Sequence, residues 1–342
     1  MRAVQIISRG RTKIIQTPVP DVPERQTLVQ PLLLSICGSD LRKIYYLPDS
    51  AYPLAPGVSG HEVIGRVVSL NHGPKNKDSE SLRCAEGPVK EGDIVLALIP
   101  KQENAMAEYV TTEIENLLPL PTGTPAAHLV LAQQLGTVIY ACKLLRDISG
   151  KDVVVIGQGS AGLFFNTMLR RLGAKKVVSM DLSETRLSMG RYFGADIAFN
   201  NHTADPIETV VREFGPQLAD LVVEAVGEPE TINLAPRLVK KGGNLLFFGV
   251  PHDPDFTFDF WNWYNACVTS ISIRGSGNDP DKSAFFQALE LISSGEVMVG
   301  PMITHTFTFE EVEKAYELAH TRQDGAGKVL VKMPACDDYL KV

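Results

Sequence analysis

The chain has 342 residues, 44% hydrophobic and 21% charged, an ordinary soluble globular composition with more material than one hydrophobic core usually serves. A formal net charge of -7, with 33 Lys and Arg forming no basic face, argues against nucleic-acid binding. No apolar run approaches the ~20 residues a membrane helix needs, and "MRAVQIISRGRTKII" puts charges where a signal peptide needs its apolar centre, so a cytoplasmic protein is expected.

The five cysteines, Cys37, Cys84, Cys142, Cys267 and Cys336, are odd in number and widely spaced, with no C-x-x-C pair. They make neither a disulfide framework nor a zinc knuckle. Most read as reduced thiols in the core.

From the N-terminus the chain shows short strands, many prolines and turns at "PVPDVPE" and "YPLAPG". "SICGSDLRKIYY" sets Cys37 three residues before Asp40. "SGHEVIGRVVS" then places His61 and Glu62 side by side at the mouth of a strand. By itself such a pair could be a solvated edge, a buried ion pair or two ligands of one metal. The polar stretch 71–93 reads as an extended surface hairpin loop.

The middle third is better defined. Asp152 to Ile156 is a β-branched run suited to a strand buried on both faces. Gly157, Gly159 and Gly162 follow as G-x-G-x-x-G, with an amphipathic helix to about Leu172. The next strand is "KVVSM", ended by Asp181, nineteen positions after Gly162. In a dinucleotide site the glycines permit a tight turn and close backbone approach, the helix N-terminus faces the pyrophosphate, and the acid takes the adenosine ribose. A carboxylate at Asp181 accepts the ribose hydroxyls and repels a 2′-phosphate, which favours NAD over NADP. Arg186 could hydrogen-bond the ribose or help a phosphate.

Strands at 219–227, 242–250 and 269–276 follow, with helical stretches such as "EPETINLAPRLVKK" between them. That alternation means an α/β doubly wound parallel sheet over 133–275. The remainder, 1–132 and 276–342, forms a second, mostly β domain whose tail holds helices around "AFFQALELISSG" and "EEVEKAYELAH" and a closing strand "GKVLVKM".

C-G-x-D, then G-H-E, then the glycine-rich unit, together with "GDIV", "AEYV", "LP" and "GKVLV" in that order, resembles the zinc-containing medium-chain dehydrogenases, nearest their alcohol, polyol and threonine branch. The resemblance spans essentially the whole chain and implies a GroES-like catalytic domain beside the Rossmann domain. It implies Cys37 and His61 as ligands of one catalytic zinc, with Asp40 holding the other ring nitrogen of the histidine. Glu62 matches a glutamate that is a direct ligand in the polyol branch. Gln133 stands where the family usually has a cysteine or glutamate, so Glu62 is expected as third ligand and Gln133 as a holder of water at the metal. The four-cysteine lobe for structural zinc is absent, so one zinc per chain is expected.

The implied reaction is hydride transfer between a zinc-bound secondary alcohol, polyol or hydroxy acid and NAD, with Ser39 taking the substrate proton and Thr137 lining the nicotinamide. Many relatives pass that proton to a histidine where this chain has Arg42, which cannot be deprotonated. Arg42 and Lys43 could favour an anionic substrate or be merely solvated. Two other readings stay open: a zinc-free quinone or enone reductase of the same fold, and a non-catalytic nucleotide-binding protein. The aromatic segment 256–276 ends in an expected edge strand, which invites pairing, and the resemblance to a family that pairs at this edge implies a homodimer or homotetramer.

Overall fold

The computed structural model describes residues 1–73, 89–99, 104–253, 255–275, 279 and 281–336. Most of the polar stretch read as a surface hairpin, 74–88, lies outside them, and Cys84 with it. The chain forms two compact units, Met1–Gly136 with Pro280–Val342, and Thr137–Asp279. Both boundaries fall four residues later than the division read from sequence.

In the first unit, strands Arg2–Ser8 and Arg11–Gln16 make an antiparallel ribbon. A seven-stranded sheet runs in the order Ile303–Thr308, Lys328–Lys332, Gln26–Ser35, Glu62–Asn71, Ile94–Leu98, Leu117–Pro119, with Val110–Glu113 also pairing Gln26–Ser35. Only its first pair is parallel. "TLVQPLLLS" makes Gln26–Ser35 the central strand, because nearly every position is buried. Val29, Leu34, Val63, Val95 and Val331 join Val312, Ala315 and Tyr316 of helix Val312–Thr321 in one core.

Strand Ile303–Thr308 was not expected from the sequence. Its residues alternate between half-buried and exposed, so it lacks the apolar run that marks the buried strands.

The second unit is the doubly wound sheet. Six parallel strands lie in the order Ile197–Asn200, Lys176–Asp181, Asp152–Ile156, Ala219–Glu224, Val239–Phe247, Thr269–Ser272. Ranked by sequence this is 3-2-1-4-5-6, the Rossmann order, whose switch point lies between Asp152–Ile156 and Ala219–Glu224. Val154, Ile156, Val178 and Val222 of these strands are buried in its core.

The helix expected to run through Lys241 ends at Leu238. Val239 opens the next strand instead, and pairing skips from Ala219–Val239 to Leu221–Asn244. Gly242 has φ +76, which no continuing helix allows, and β-branched Val239 is 3% exposed. Among the described residues no helix is long and apolar enough to cross a membrane.

Candidate metal and dinucleotide sites

Three strand ends bring the first site together. Ser35 pairs with Glu62 across one neighbour and with Leu330 across the other. Ile36 then donates its N–H to Val329 O at 2.9 Å, and the chain turns into the short helix Gly38–Leu41. Cys37, just past one strand, and His61 and Glu62, at the start of the next, are therefore neighbours by sheet register. Their donor atoms all lie within 4.8 Å of one another. A tetrahedral zinc with bonds of about 2.0–2.3 Å separates its ligands by about 3.3–3.8 Å, so a small contraction closes the set. Thiolate, imidazole and carboxylate are donors that zinc takes, and the three fit such an ion.

Asp40 ties the two ligand turns together. Its Oδ2 accepts the N–H of Cys37 at 2.9 Å and its Oδ1 accepts the N–H of Gly60 at 2.9 Å. His61 Nδ1 lies 3.3 Å from Asp40 Oδ1 without the alignment of a hydrogen bond. This contact leaves Nε2 as the donor for a metal.

Burial alone would push the Asp40 carboxyl up, but the nearby His61 imidazole and the two backbone donors outweigh it and bring it down to about 2. Burial likewise opposes charge on His61, but Asp40, with Cys37, holds the imidazole well above its usual range.

Lys328 is the residue that the sequence reading missed. It is 2% exposed, and its Nζ meets both oxygens of Glu62, at 2.7 and 2.6 Å. It also reaches Ile36 O at 3.4 Å. Glu62 thus faces a buried ammonium as well as Cys37 and His61. The one signal was a lysine opening a strand, "KVLVK", whose next three residues are apolar.

Ser39 lies half-buried in helix Gly38–Leu41, and Arg42, also half-buried, begins the next turn. Gln133, half-buried, and Thr137, 8% exposed, share helix Ala132–Leu144.

The second site lies wholly in the doubly wound unit, and each glycine has its own reason. Gly157 has φ +90. A Cβ on Gly162 would sit 1.9 Å from Gly157 O, so the helix can pack here only without a side chain. In front of Gly159 there is open space, the room a pyrophosphate needs beside the N-terminus of helix Ser160–Arg171.

Asp181 is already positioned. Its Oδ2 accepts Gln158 N–H at 2.7 Å and its Oδ1 accepts Ser183 N–H at 2.9 Å. Arg186 lies in the first turn of the following helix, its N–H on the Ser183 cap at 3.4 Å. Beneath the turn, Gln158 Oε1 accepts from Asn166 at 2.7 Å, and Ser179 Oγ donates to Asn166 Oδ1 at 2.9 Å. This buried network was not anticipated, because no local pattern marks a polar core.

A dinucleotide-type sheet and a thiol–imidazole–carboxylate cluster stand together in one chain. Residues 161–294 match the model of the zinc-binding dehydrogenase family. L-threonine 3-dehydrogenase of Bacillus subtilis is 27% identical over 333 residues, covering 93% of this chain and 94% of that protein. An alcohol dehydrogenase of Cupriavidus necator is 25% identical over 367 residues, covering 97% and 98%. Among solved structures, the alcohol dehydrogenase TADH of Thermus sp. ATN1 superposes with a TM-score of 0.79 at 25% identity, covering 97% of this chain and all of that one. Over nearly its whole length the chain is similar to zinc-type medium-chain dehydrogenases, and it is an oxidoreductase.

Proposed function

We propose that the protein is a zinc- and NAD-dependent dehydrogenase that oxidises a secondary alcohol, a polyol or a hydroxy acid to the ketone. The observation that carries this reading is the convergence of Cys37, His61 and Glu62 within 4.8 Å. Asp181 at the end of the second sheet strand supports NAD in preference to NADP. Zinc, when bound, supplies a Lewis acid that lowers the pKa of a substrate hydroxyl.

The chain's own residues do the rest. Cys37, His61 and Glu62 hold the ion, with Asp40 orienting the first two through their backbone turns. Gln133 holds a water. Ser39 receives the substrate proton, and it leaves through solvent because Arg42 cannot relay it. Gly157, Gly159 and Gly162 seat the pyrophosphate, Asp181 and Arg186 the ribose, and Thr137 the nicotinamide. Residues 1–132 and 276–342 act as the catalytic domain and 133–275 as the coenzyme domain.

The ligand trio argues against the zinc-free reductase reading, since such an enzyme needs no thiolate beside an imidazole and a carboxylate. The sequence holds five widely spaced cysteines and no four-cysteine lobe of the kind that binds structural zinc, which supports one zinc per chain. Assembly as a homodimer or homotetramer is supported by the edge position of Thr269–Ser272 and by Phe260, Trp261 and Tyr264, which are 58%, 71% and 61% exposed just before it. NAD reduction over a panel of secondary alcohols, polyols and hydroxy acids by zinc-loaded protein tests the reading. Turnover of some of them is expected; reduction of enones alone, or no turnover with zinc and NAD bound, overturns it.

A further inference from the structure

Ser59 has φ +102, in the left-handed region that an L residue rarely occupies, and it is fully buried. It directly precedes Gly60, φ +87, whose N–H goes to Asp40, and His61 follows. A residue in this conformation persists only where its surroundings over-determine it. Here the surroundings come from 257 residues away: the hydroxyl of Tyr316, 1% exposed on helix Val312–Thr321, donates to Ser59 Oγ at 2.9 Å. Ser59 O and Gly57 O both accept from Met106 N–H, at 3.1 and 3.2 Å, which pins the same turn from its other side.

We infer that Tyr316 is a positioning residue for the metal site. Its hydroxyl holds Ser59 in the left-handed conformation, and that conformation aims Gly60 at Asp40 and His61 at Cys37. The inference rests on reading Cys37, His61 and Glu62 as metal ligands. It assigns to a tyrosine that touches neither metal nor substrate the task of keeping the histidine turn closed. Without the hydroxyl, Ser59 keeps a buried, unpaired Oγ and relaxes towards negative φ, carrying His61 with it. A glycine at 59 has no such preference and no hydroxyl to satisfy.

The test uses full-length protein loaded with zinc, and in parallel with cobalt(II), whose visible absorption reports ligand geometry. The rate of metal loss to a chelator is measured for wild type, Tyr316→Phe, Ser59→Gly and the double variant, with thermal unfolding followed alongside. Tyr316→Phe is expected to weaken metal binding by about tenfold, the lower end of what lost support of a ligand costs, and to alter the cobalt spectrum. Ser59→Gly is expected to stay within about twofold of wild type, and the double variant to match Ser59→Gly, the glycine rescuing the lost hydroxyl.

A merely structural hydrogen bond would lower the melting temperature of Tyr316→Phe and leave its metal loss and cobalt spectrum unchanged. That result, or fast metal loss that persists in the double variant, overturns the inference. Should Tyr316→Phe alone not fold, the double variant is compared with Ser59→Gly, and unequal metal loss overturns it. Wild-type protein that takes up neither metal refutes the site reading itself, and the wild-type titration alone distinguishes that failure.

Discussion

Lys328 Nζ reaches both carboxylate oxygens of Glu62, at 2.7 and 2.6 Å, and neither side chain is more than 2% exposed. A buried carboxylate with one cationic partner cannot lose it cheaply, since breaking such a pair costs about 3–5 kcal/mol. Metal-free Lys328→Met should be less stable than metal-free wild type by about that amount in urea unfolding. Zinc supplies Glu62 with a replacement cation, so zinc loading should recover most of the loss. A deficit that zinc leaves unchanged would mean that Glu62 is not a ligand.

Ser39 stands in the turn between Cys37 and Asp40 but binds no metal in this account. Ser39→Ala should lose about 10²–10⁴-fold in turnover, the range for a positioned proton-transfer group, while zinc content and NAD binding stay as in wild type. Arg42→His should introduce a pH dependence near the histidine pKa of about 6.5. Full activity of Ser39→Ala with intact zinc would remove Ser39 from the proton path.

At the ribose position, Asp181→Ala removes an ionised acceptor whose hydrogen bonds are worth about 1.5–3 kcal/mol, or roughly ten- to a hundredfold in affinity. Calorimetric titration should show NAD affinity falling by that factor and the margin over NADP narrowing. Wild-type protein that binds NADP more tightly contradicts the assignment.

Glu224 gives a prediction of pH dependence. It is fully buried at the end of Ala219–Glu224, and its Oε1 accepts from Val226 N–H, Gly227 N–H and Thr231 Oγ1. Burial raises its pKa, and these donors only partly offset it. Above the usual carboxyl value of 4.5 the folded protein therefore holds a proton that the unfolded chain has released. Stability from this group is complete below that value and is lost as pH rises through the raised one. Glu224→Gln keeps an acceptor and removes the titration, so the variant should gain on wild type from pH 4.5 upward in denaturant unfolding. Parallel pH profiles for the two proteins would show that Glu224 titrates normally.

What could be read from the sequence was what is local. Asp152–Ile156, the three glycines and Asp181 lie within thirty residues, and backbone sterics and strand chemistry write themselves into such a stretch. Cys37, His61 and Glu62 could be named because the resemblance supplied their roles, and the register Ser35–Glu62 is what joins them. Lys328 on Glu62 is a contact across 266 residues and Tyr316 on Ser59 one across 257. No periodicity encodes those distances. A lysine opening a strand and a tyrosine in an amphipathic helix read as ordinary surface and core until the sheet order places them. The end of the helix at Leu238 was missed for a related reason: the pairing of Val239 with Ala219 outweighs the helical look of "RLVKK".

The central claim, one catalytic zinc per chain on Cys37, His61 and Glu62, is tested most directly by the metal content of metal-replete, gel-filtered protein, measured beside Cys37→Ser. One zinc per chain in wild type, falling to near zero in Cys37→Ser, is the predicted result. Two zinc ions per chain, none, or a single zinc that survives the loss of the Cys37 thiol would contradict it.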